Sequence, residues 1–300
     1  MNKKTSVIIV TYNSKKYVKN CLISVLENKP LEIIVVDNNS DDGTFQFIKE
    51  NFPQVKLICN SKNLGYAVGN NIGVKKAKGE YIVILNPDTK VEKNWLNNLL
   101  QSFKNRKKIV VVPKILNYKG NEINTIGNVD HFTGLTFVNG LGKNPKEFNE
   151  RMNLSGISGA CFAIRRKDFL NLGGFDEKFF IYMDDVEFSW RLHTKGFSIT
   201  FEPSSIVYHD YSLKLSPKKF YHLEKGRYMI LRKYFSLPLF FIFLPSLIFT
   251  EILSFGLAIL NGKEYLTSKV KAIRDGIKIK VKKVKYERKK LLKKLEYKIP

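Results

Sequence analysis

Three carboxylates fall within four residues at Asp184-Asp185-Val186-Glu187, among the aromatics Phe179, Phe180, Tyr182 and Phe188. Neighbouring carboxylates resist full ionisation without compensation, so one of such a set can hold a raised pKa suited to taking a proton from a hydroxyl. The same residues also fit a structural role. Acids favour the positive end of a helix, and Glu187 stands four residues before Arg191, at ion-pair spacing. A second centre is Asn86-Pro87-Asp88-Thr89, which follows the apolar run Tyr81-Ile82-Val83-Ile84-Leu85. That run reads as a strand buried on both faces and ended by Pro87. Asp88 then lies just past the carboxyl end of a central strand, where open α/β sheets bind ligands, or it caps a helix over 91–103. Asp37 closes a strand in the same way, and either accepts hydrogen bonds from a base or ribose or caps a turn.

The elements that must position these groups follow from periodicity. Continuous apolar runs over 6–11, 31–36 and 55–59 alternate with helical patterns over 15–27 and 45–51. A β-α-β-α-β series of this kind implies parallel strands with right-handed crossovers, which gathers the polar strand ends on one edge. Asn60-Ser61-Lys62-Asn63-Leu64-Gly65-Tyr66 has neither dinucleotide nor P-loop spacing. It either offers backbone N–H groups to an anion or allows a helix to pack closely on the sheet. Further strands are expected over 109–113, 158–165, 197–201 and 205–208. The Gly- and Asn-rich stretch 117–153 reads as acceptor-side loops. His209 follows the last strand, a position more often structural than functional for a lone histidine.

Four blocks carry a resemblance: Ser6-Val7-Ile8-Ile9-Val10-Thr11-Tyr12-Asn13, Val35-Val36-Asp37-Asn38-Asn39-Ser40-Asp41-Asp42-Gly43-Thr44, Asn63-Leu64-Gly65-Tyr66 and Leu85-Asn86-Pro87-Asp88-Thr89. In this order and spacing the chain resembles family 2 glycosyltransferases, most of all their rhamnosyltransferase-like branch. Gly173-Gly174-Phe175-Asp176-Glu177 followed by Phe179-Phe180-Ile181-Tyr182-Met183-Asp184-Asp185-Val186-Glu187-Phe188 resembles the catalytic block of that family. The resemblance implies the GT-A (nucleotide-diphospho-sugar transferase) fold, an α/β Rossmann-like, mainly parallel sheet with helices on both faces. It implies nucleotide-sugar contacts from Thr11, Asn13, Asp37, Asn63 and Asn86, and a metal motif in Asn86-Pro87-Asp88 with His209 as a second ligand. Asn86 stands where the motif usually has an acid, which leaves Asp88 as its only charged ligand for Mg2+ or Mn2+. It further implies that Asp185 is the general base, with Asp184 at its side and Glu187 supporting or binding the acceptor. The resemblance ends near residue 215.

Composition bounds the rest. The net charge is +24, of which residues 261–300 carry +11, and this asks for an anionic partner. Cys21, Cys59 and Cys161 form no close pair, which suits a reducing compartment rather than a disulfide frame or zinc site. The first residues run straight into a strand pattern, without a secretory signal. Residues 237–260 carry one charge, Glu251, which is long enough for a bilayer span. Pro238, Pro245 and basic flanks on both sides favour instead two half-helices, bent near Pro245 and dipping into the cytoplasmic leaflet. A hairpin packed on the catalytic part is the third possibility. The Lys-rich tail from Val270 reads as contact with anionic headgroups, and no aromatic platform or motif supports nucleic-acid binding.

The expected organisation is a catalytic part over 1–220, divided into a nucleotide-sugar half (1–105) and an acceptor half (106–220), followed by a helical membrane-associated region over 221–300. The expected function is inverting transfer of a sugar, rhamnose or another hexose, from a nucleotide-diphosphate donor to a hydroxyl of a lipid-linked or cell-surface saccharide. The rivals are a sugar-1-phosphate nucleotidyltransferase, whose Gly-rich basic start is missing between Thr5 and Lys16, and a non-enzymatic membrane or nucleic-acid-binding protein.

Overall fold

The computed structural model describes residues 2–211, 214–286 and 291–297. Its centre is a strand that every neighbour leaves dry. β1 (Thr5–Thr11) is buried along its whole length between β2 (Glu32–Asp37) and β4 (Tyr81–Leu85), all in parallel register. Helix α1 (Lys15–Glu27) covers one face with Val18, Cys21, Leu22 and Val25, the i, i+3, i+4, i+7 stripe of an amphipathic helix. Next come α2 (Thr44–Asn51), then β3 (Lys56–Cys59) at the sheet edge, then α3 (Gly65–Lys76) on the opposite face. The chain moves outward from β1 through β2 to β3, then returns to place β4 on the other flank of β1. The carboxyl ends of β1, β2 and β4 therefore meet at a topological switch point.

After β4 the expected helix over 91–103 is replaced by a short strand and a later helix. β5 (Thr89–Val91) pairs with the last strand, and α4 (Trp95–Gln101) starts only after Asn94 in a left-handed conformation. The alternation of Thr89, Lys90 and Val91, in-out-in, selects strand over helix locally. β6 (Ile109–Asn117) extends past the expected 109–113. The stretch 117–153 holds the short strands β7 (Ile123–Thr125), β8 (Asn128–Asp130) and β9 (Thr136–Val138), and β10 (Asn153–Leu154) follows at its end. β11 (Cys161–Arg165) enters antiparallel between β4 and β6. After α5 (Arg166–Asn171) and α6 (Asp184–Thr194), the two strands expected over 197–208 are one, β12 (Ser198–His209). Its register slips between Glu202 and Ile206, around Pro203, which has no N–H for the ladder.

The ten-stranded sheet runs β10-β12-β6-β11-β4-β1-β2-β3, with β5 beside β12 and β7 beside β6. Four of its pairings are parallel and five antiparallel, so the expected mainly parallel sheet is mixed. Only the first half follows βαβ rules, because β11 returns from the loop excursion running the other way. Alternate residues of β1 feed two cores, Val7 and Ile9 towards α1 and α4, Ile8 and Val10 towards α3 and α6.

The C-terminal helices are α7 (Pro217–Tyr234), α8 (Leu237–Ile242), α9 (Leu244–Leu260) and α10 (Lys263–Lys278). The division expected at 220 falls inside α7, whose Met229, Ile230 and Tyr234 share a core with Val186 and Trp190 of α6. The stretch 237–260 is two helices broken at Phe243, each with a proline in its first turn. Among the described residues no helix is long and apolar enough to cross a membrane, which corrects the continuous span that length alone allowed. Part of the basic tail lies on the fold: Val284 N–H donates to the Lys233 carbonyl, and Leu291 and Leu295 are buried. Arg288, Lys289 and Lys290 lie outside the described residues.

A buried charge network ties α9 and α10 to α7. Lys269 is fully buried and donates to Glu224, to Glu251 at 2.9 Å, to the Tyr228 hydroxyl at 2.9 Å and to Ser254 at 2.8 Å. Arg227 bridges Glu224 and Glu251 from the other side. Burial alone would raise Glu224, but the Arg227 and Lys269 charges outweigh it and hold the carboxyl below its usual range. Removing one partner of such a cluster strands the others in low dielectric. Lys269→Met should therefore destabilise the chain by about 3 kcal/mol, read as a lower guanidinium midpoint at unchanged slope.

Candidate active site

The strand-end residues form one side of a crevice. Asp37 is fully buried, and its carboxylate accepts from Thr11 Oγ1 at 2.8 Å and from the backbone N–H and hydroxyl of Ser40 at 2.9 and 2.6 Å. Asn13, left-handed at φ +52°, accepts from Asp41 N–H and links the ends of β1 and β2. Asn63 accepts from the N–H of Gly65 at 2.9 Å and orders the entry to α3. Gly65 is required there: its φ is +84°, and a Cβ would lie 2.3 Å from the Phe180 carbonyl. That contact presses the start of α3 against the loop that leads to Asp184 and Asp185.

Asn86 donates its N–H to the Ala160 carbonyl at 2.9 Å and accepts from Thr89 Oγ1 at 2.7 Å through its own carbonyl. These bonds fix the turn that presents Asp88. The pairing of Thr89 with His209 across β5 and β12 then brings the imidazole Nε2 to 3.2 Å from Asp88 Oδ1. His209 Nδ1 lies 3.2 Å from Asn124 Oδ1, and its ring stacks on Tyr211 with centroids 5.2 Å apart. In the tautomer with Nδ1–H donating to Asn124, Nε2 turns a lone pair towards a carboxylate oxygen, an arrangement that a cation satisfies. Asp88 and His209 fit a divalent ion as two protein ligands, with the remaining positions left to phosphate and water, as Mg2+ prefers. No group of three or more His, Cys, Asp or Glu side chains suited to a metal occurs among the described residues.

The carboxylate cluster sits at the start of α6, behind two successive left-handed residues, Tyr182 and Met183, each with φ +62°. Non-glycine residues in that region store strain, and the surrounding structure must hold them there. Asp185 Oδ2 accepts from Gly159 N–H at 3.0 Å and from Asn128 Nδ2 at 3.1 Å, and Oδ1 accepts from Val186 N–H at 2.9 Å. Burial raises its pKa, and those three donors oppose the rise. Asp184 is buried with Oδ2 unpartnered, and burial followed by the Asp185 charge pushes its carboxyl well up. Gly159, just before β11, brings its backbone onto Asp185.

Glu187 lies apart from this cluster's open side. It is fully buried, paired with Arg191 at 2.6 Å and Lys233 at 2.6 Å, and it accepts from the Tyr234 hydroxyl at 2.8 Å. Its carboxylate is committed to joining α6 and α7, which is the pairing the i, i+4 spacing allows and leaves no oxygen for an acceptor. Asp130 was not legible in the sequence. It is buried beside the cluster, accepts from Thr136 Oγ1 at 3.0 Å with Oδ2 unpartnered, and burial followed by the Asp185 charge raises it well up. Asn128 went unseen for the same reason, since both sit on β8 in a stretch without periodicity.

A parallel half-sheet with a polar switch point, followed by a strained carboxylate-bearing helix start, is an α/β architecture that binds ligands at its strand ends. The comparisons place it within a family. The pattern described as glycosyl transferase family 2 matches residues 6–173, and one described as the N-terminal domain of galactosyltransferase matches residues 140–214. The chain belongs to glycosyl transferase family 2, and so to a family of enzymes. It is 27% identical over 201 residues to a low-salt glycan biosynthesis hexosyltransferase of Haloferax volcanii, covering 65% of this chain and 63% of that relative. It is 28% identical over 229 residues to an N-acetylglucosaminyl-diphospho-decaprenol L-rhamnosyltransferase of Mycobacterium tuberculosis, covering 68% and 75%. The fold is similar to GalNAc-T7 crystallised with UDP, GalNAc and Mn2+ (TM-score 0.65, 22% identity, 93% of this chain and 55% of that one). It is also similar to S. aureus TarS with UDP-GlcNAc (TM-score 0.60, 19% identity, 91% and 80%).

A base with a raised pKa works only above it. Because burial lifts Asp185 from the ordinary aspartate range of about 3.9, the acid limb of a kcat/KM profile should fall at a pH above that value, with activity rising as Asp185 loses its proton. A profile flat down to pH 4 would remove Asp185 from that role.

Proposed function

We propose that the chain transfers a sugar, with inversion, from a nucleotide-diphosphate donor to a hydroxyl of a saccharide acceptor carried on a lipid. One observation carries this reading: a desolvated carboxylate, Asp185, is held by three donors, and it and Asp88 both act on Tyr211. Asp37 accepts hydrogen bonds from the nucleoside side of the donor, with Asn13 and Asn63 shaping the loops around it. Asp185 takes the proton of the acceptor hydroxyl as its oxygen attacks the anomeric carbon. The bond from that carbon to the diphosphate breaks on the opposite face. Asp184, neutral beside it, leaves the negative charge on Asp185. A Mg2+ or Mn2+ ion held by Asp88 and His209 would neutralise charge on the departing diphosphate. The Haloferax and mycobacterial relatives, named as a hexosyltransferase and as a rhamnosyltransferase acting on a lipid diphosphate, support a hexose and a lipid-linked acceptor here.

A thermal-shift panel of UDP, dTDP and GDP, with and without Mn2+, tests donor and base together. A ligand at a hundredfold its Kd stabilises by about 2.7 kcal/mol, so one diphosphate should raise Tm clearly. Asp185→Asn should keep that rise while losing about 10²- to 10⁴-fold in transfer rate, and Asp88→Ala should lose the Mn2+-dependent part. No shift with any diphosphate would sink the reading.

The C-terminal helices support a membrane-surface role at the cytoplasmic face. The outer side of α8 and α9 leaves Phe241, Phe249, Ile252 and Leu260 exposed, the last at 87%, next to the Lys-rich α10 and tail. An apolar helix face flanked by cations suits insertion at an anionic interface. Sedimentation should recover the protein with phosphatidylglycerol vesicles rather than phosphatidylcholine alone. The double change Phe249→Glu with Ile252→Glu should release it without altering nucleotide binding. Equal partition between the two vesicle types would contradict the charge argument.

A further inference from the structure

The acidic crevice contains one cation that the mechanism above leaves unused. Lys219, in the first turn of α7, donates to the Tyr211 hydroxyl at 2.6 Å and lies over the Tyr211 ring at 4.8 Å and the Tyr182 ring at 5.7 Å from their centroids. Lys219 thus lies over both rings, and Tyr211 stacks on His209, which in turn meets Asp88. Ammonium, two phenols, imidazole and metal-motif carboxylate thus form one contiguous set. It joins the strained loop before Asp184 to the end of β12 and to α7.

Most buried cations of α6, α7 and α10 sit in ion pairs, whereas Lys114 on β6 is buried and donates to the Pro145 carbonyl at 3.1 Å and to Asn149 Oδ1 at 3.3 Å. Arg191, Arg227, Lys233 and Lys269 each meet at least one carboxylate within ion-pair distance. Lys219 is half-buried, and among the described residues no carboxylate pairs with it. Burial accordingly pulls its pKa down. A partly desolvated cation without a counter-ion is costly unless a ligand supplies the anion. The carboxylates nearest this set, Asp88 and Asp185, both act on Tyr211 and neither pairs with Lys219, which leaves the ammonium free to meet an incoming anion.

We propose that Lys219, aligned by Tyr182 and Tyr211 beside the Asp88–His209 pair, is a phosphate-binding cation that takes the diphosphate of the donor and of the departing nucleotide. The inference rests on the donor reading above and adds a residue and a consequence to it. With Asn86 in the metal motif, Asp88 is its only carboxylate, so the protein brings less charge to a divalent ion than a two-acid motif would. A fixed ammonium shares the neutralisation of the diphosphate and retains part of it when no metal is present. Lysine suits this as a point charge with three donors, where arginine would demand a planar partner. The phenols contribute by holding the ammonium on one side, so that less side-chain freedom is lost on binding.

The test is calorimetry on the full chain with UDP, dTDP and GDP, each in EDTA and again in Mn2+, followed by the matching monophosphate of whichever diphosphate binds. Wild type should bind that diphosphate measurably in EDTA. Lys219→Met should weaken it about tenfold or more there, as loss of a charge-assisted hydrogen bond predicts, and by less in Mn2+. Monophosphate affinity should change no more than about twofold, and Lys219→Arg should restore part of the loss. Inorganic pyrophosphate, titrated alone, should compete with the diphosphate in wild type and lose that ability in Lys219→Met. Equal losses for mono- and diphosphate, or unchanged diphosphate binding in a Lys219→Met protein of normal Tm, would overturn the assignment to phosphate and leave Lys219 ordering the tyrosines. Failure of all three diphosphates on wild type would overturn the donor reading itself, and this inference with it.

Discussion

The antiparallel entry of β11 between β4 and β6 is the constraint on which the site depends. Because β11 runs against β4, the residues just before it lie beside the residues just after β4. Asn86 N–H reaches the Ala160 carbonyl, and one residue earlier Gly159 N–H reaches Asp185. Two consecutive residues, Gly159 and Ala160, therefore connect the Asn86-Pro87-Asp88 turn to Asp185, although the two are about a hundred residues apart in sequence. An all-parallel sheet would have put a crossover helix there instead, with no backbone donors facing the crevice. The fully buried flanks of β4 and β11 make this register hard to shift, since a slip by one residue would turn every apolar side chain to the wrong face.

The electrostatics of the crevice run opposite to those of the chain. A protein of net charge +24 gathers Asp37, Asp88, Asp130, Asp184 and Asp185 around one cavity edge. Each is compensated differently. Asp37 is satisfied by hydroxyl and backbone donors. Asp185 has three such donors, but burial still prevails over them. Asp130 and Asp184 each keep an unpartnered oxygen and are pushed towards the neutral form. The result is a division of labour by environment: one carboxylate stays ionisable because its neighbours do not compete for the charge. The two left-handed residues before α6 hold this crowding in place, since a relaxed loop would let the acids part.

Much of this was legible in the sequence, and the exceptions have physical causes. Helix α1 was placed to the residue by its apolar stripe, and β1 and β4 by uninterrupted runs, because burial on both faces leaves a strong signal. The four blocks fall where the carboxyl ends of β1, β2 and β4 meet, since strand-end polar residues are gathered by topology before any packing detail matters. What failed was long-range pairing. Thr89-Lys90-Val91 became a strand only because β12 lies beside it, and one-residue alternation is too short to read without that partner. The mixed sheet was hidden for the same reason, as strand direction is set by the path of 117–160 rather than by composition. Asp130, Asn128 and Lys219 sit in segments whose periodicity is weak or whose helix faces solvent on one side. Their importance arises from what they meet, at separations no local pattern records.

Helix α7 shows why the C-terminal region cannot be treated as an appendage. Its first turn carries Lys219 to the tyrosines beside His209. Its middle enters the buried network of Glu224, Arg227, Glu251 and Lys269 that fixes α9 and α10. Its last turns give Lys233 and Tyr234 to Glu187, one turn after Asp184 on α6. Eighteen residues, about 27 Å at 1.5 Å per residue, thus join the tyrosines beside His209, the helices with the exposed apolar face and α6 in one rigid member. Any tilt of α9 imposed by a surface it rests on is carried by buried ion pairs, which tolerate little displacement before a charge is stranded. The strain at Tyr182 and Met183 lies between two elements held this way. The placement of α9 and that of Asp185 are therefore linked through the buried side chains of α7.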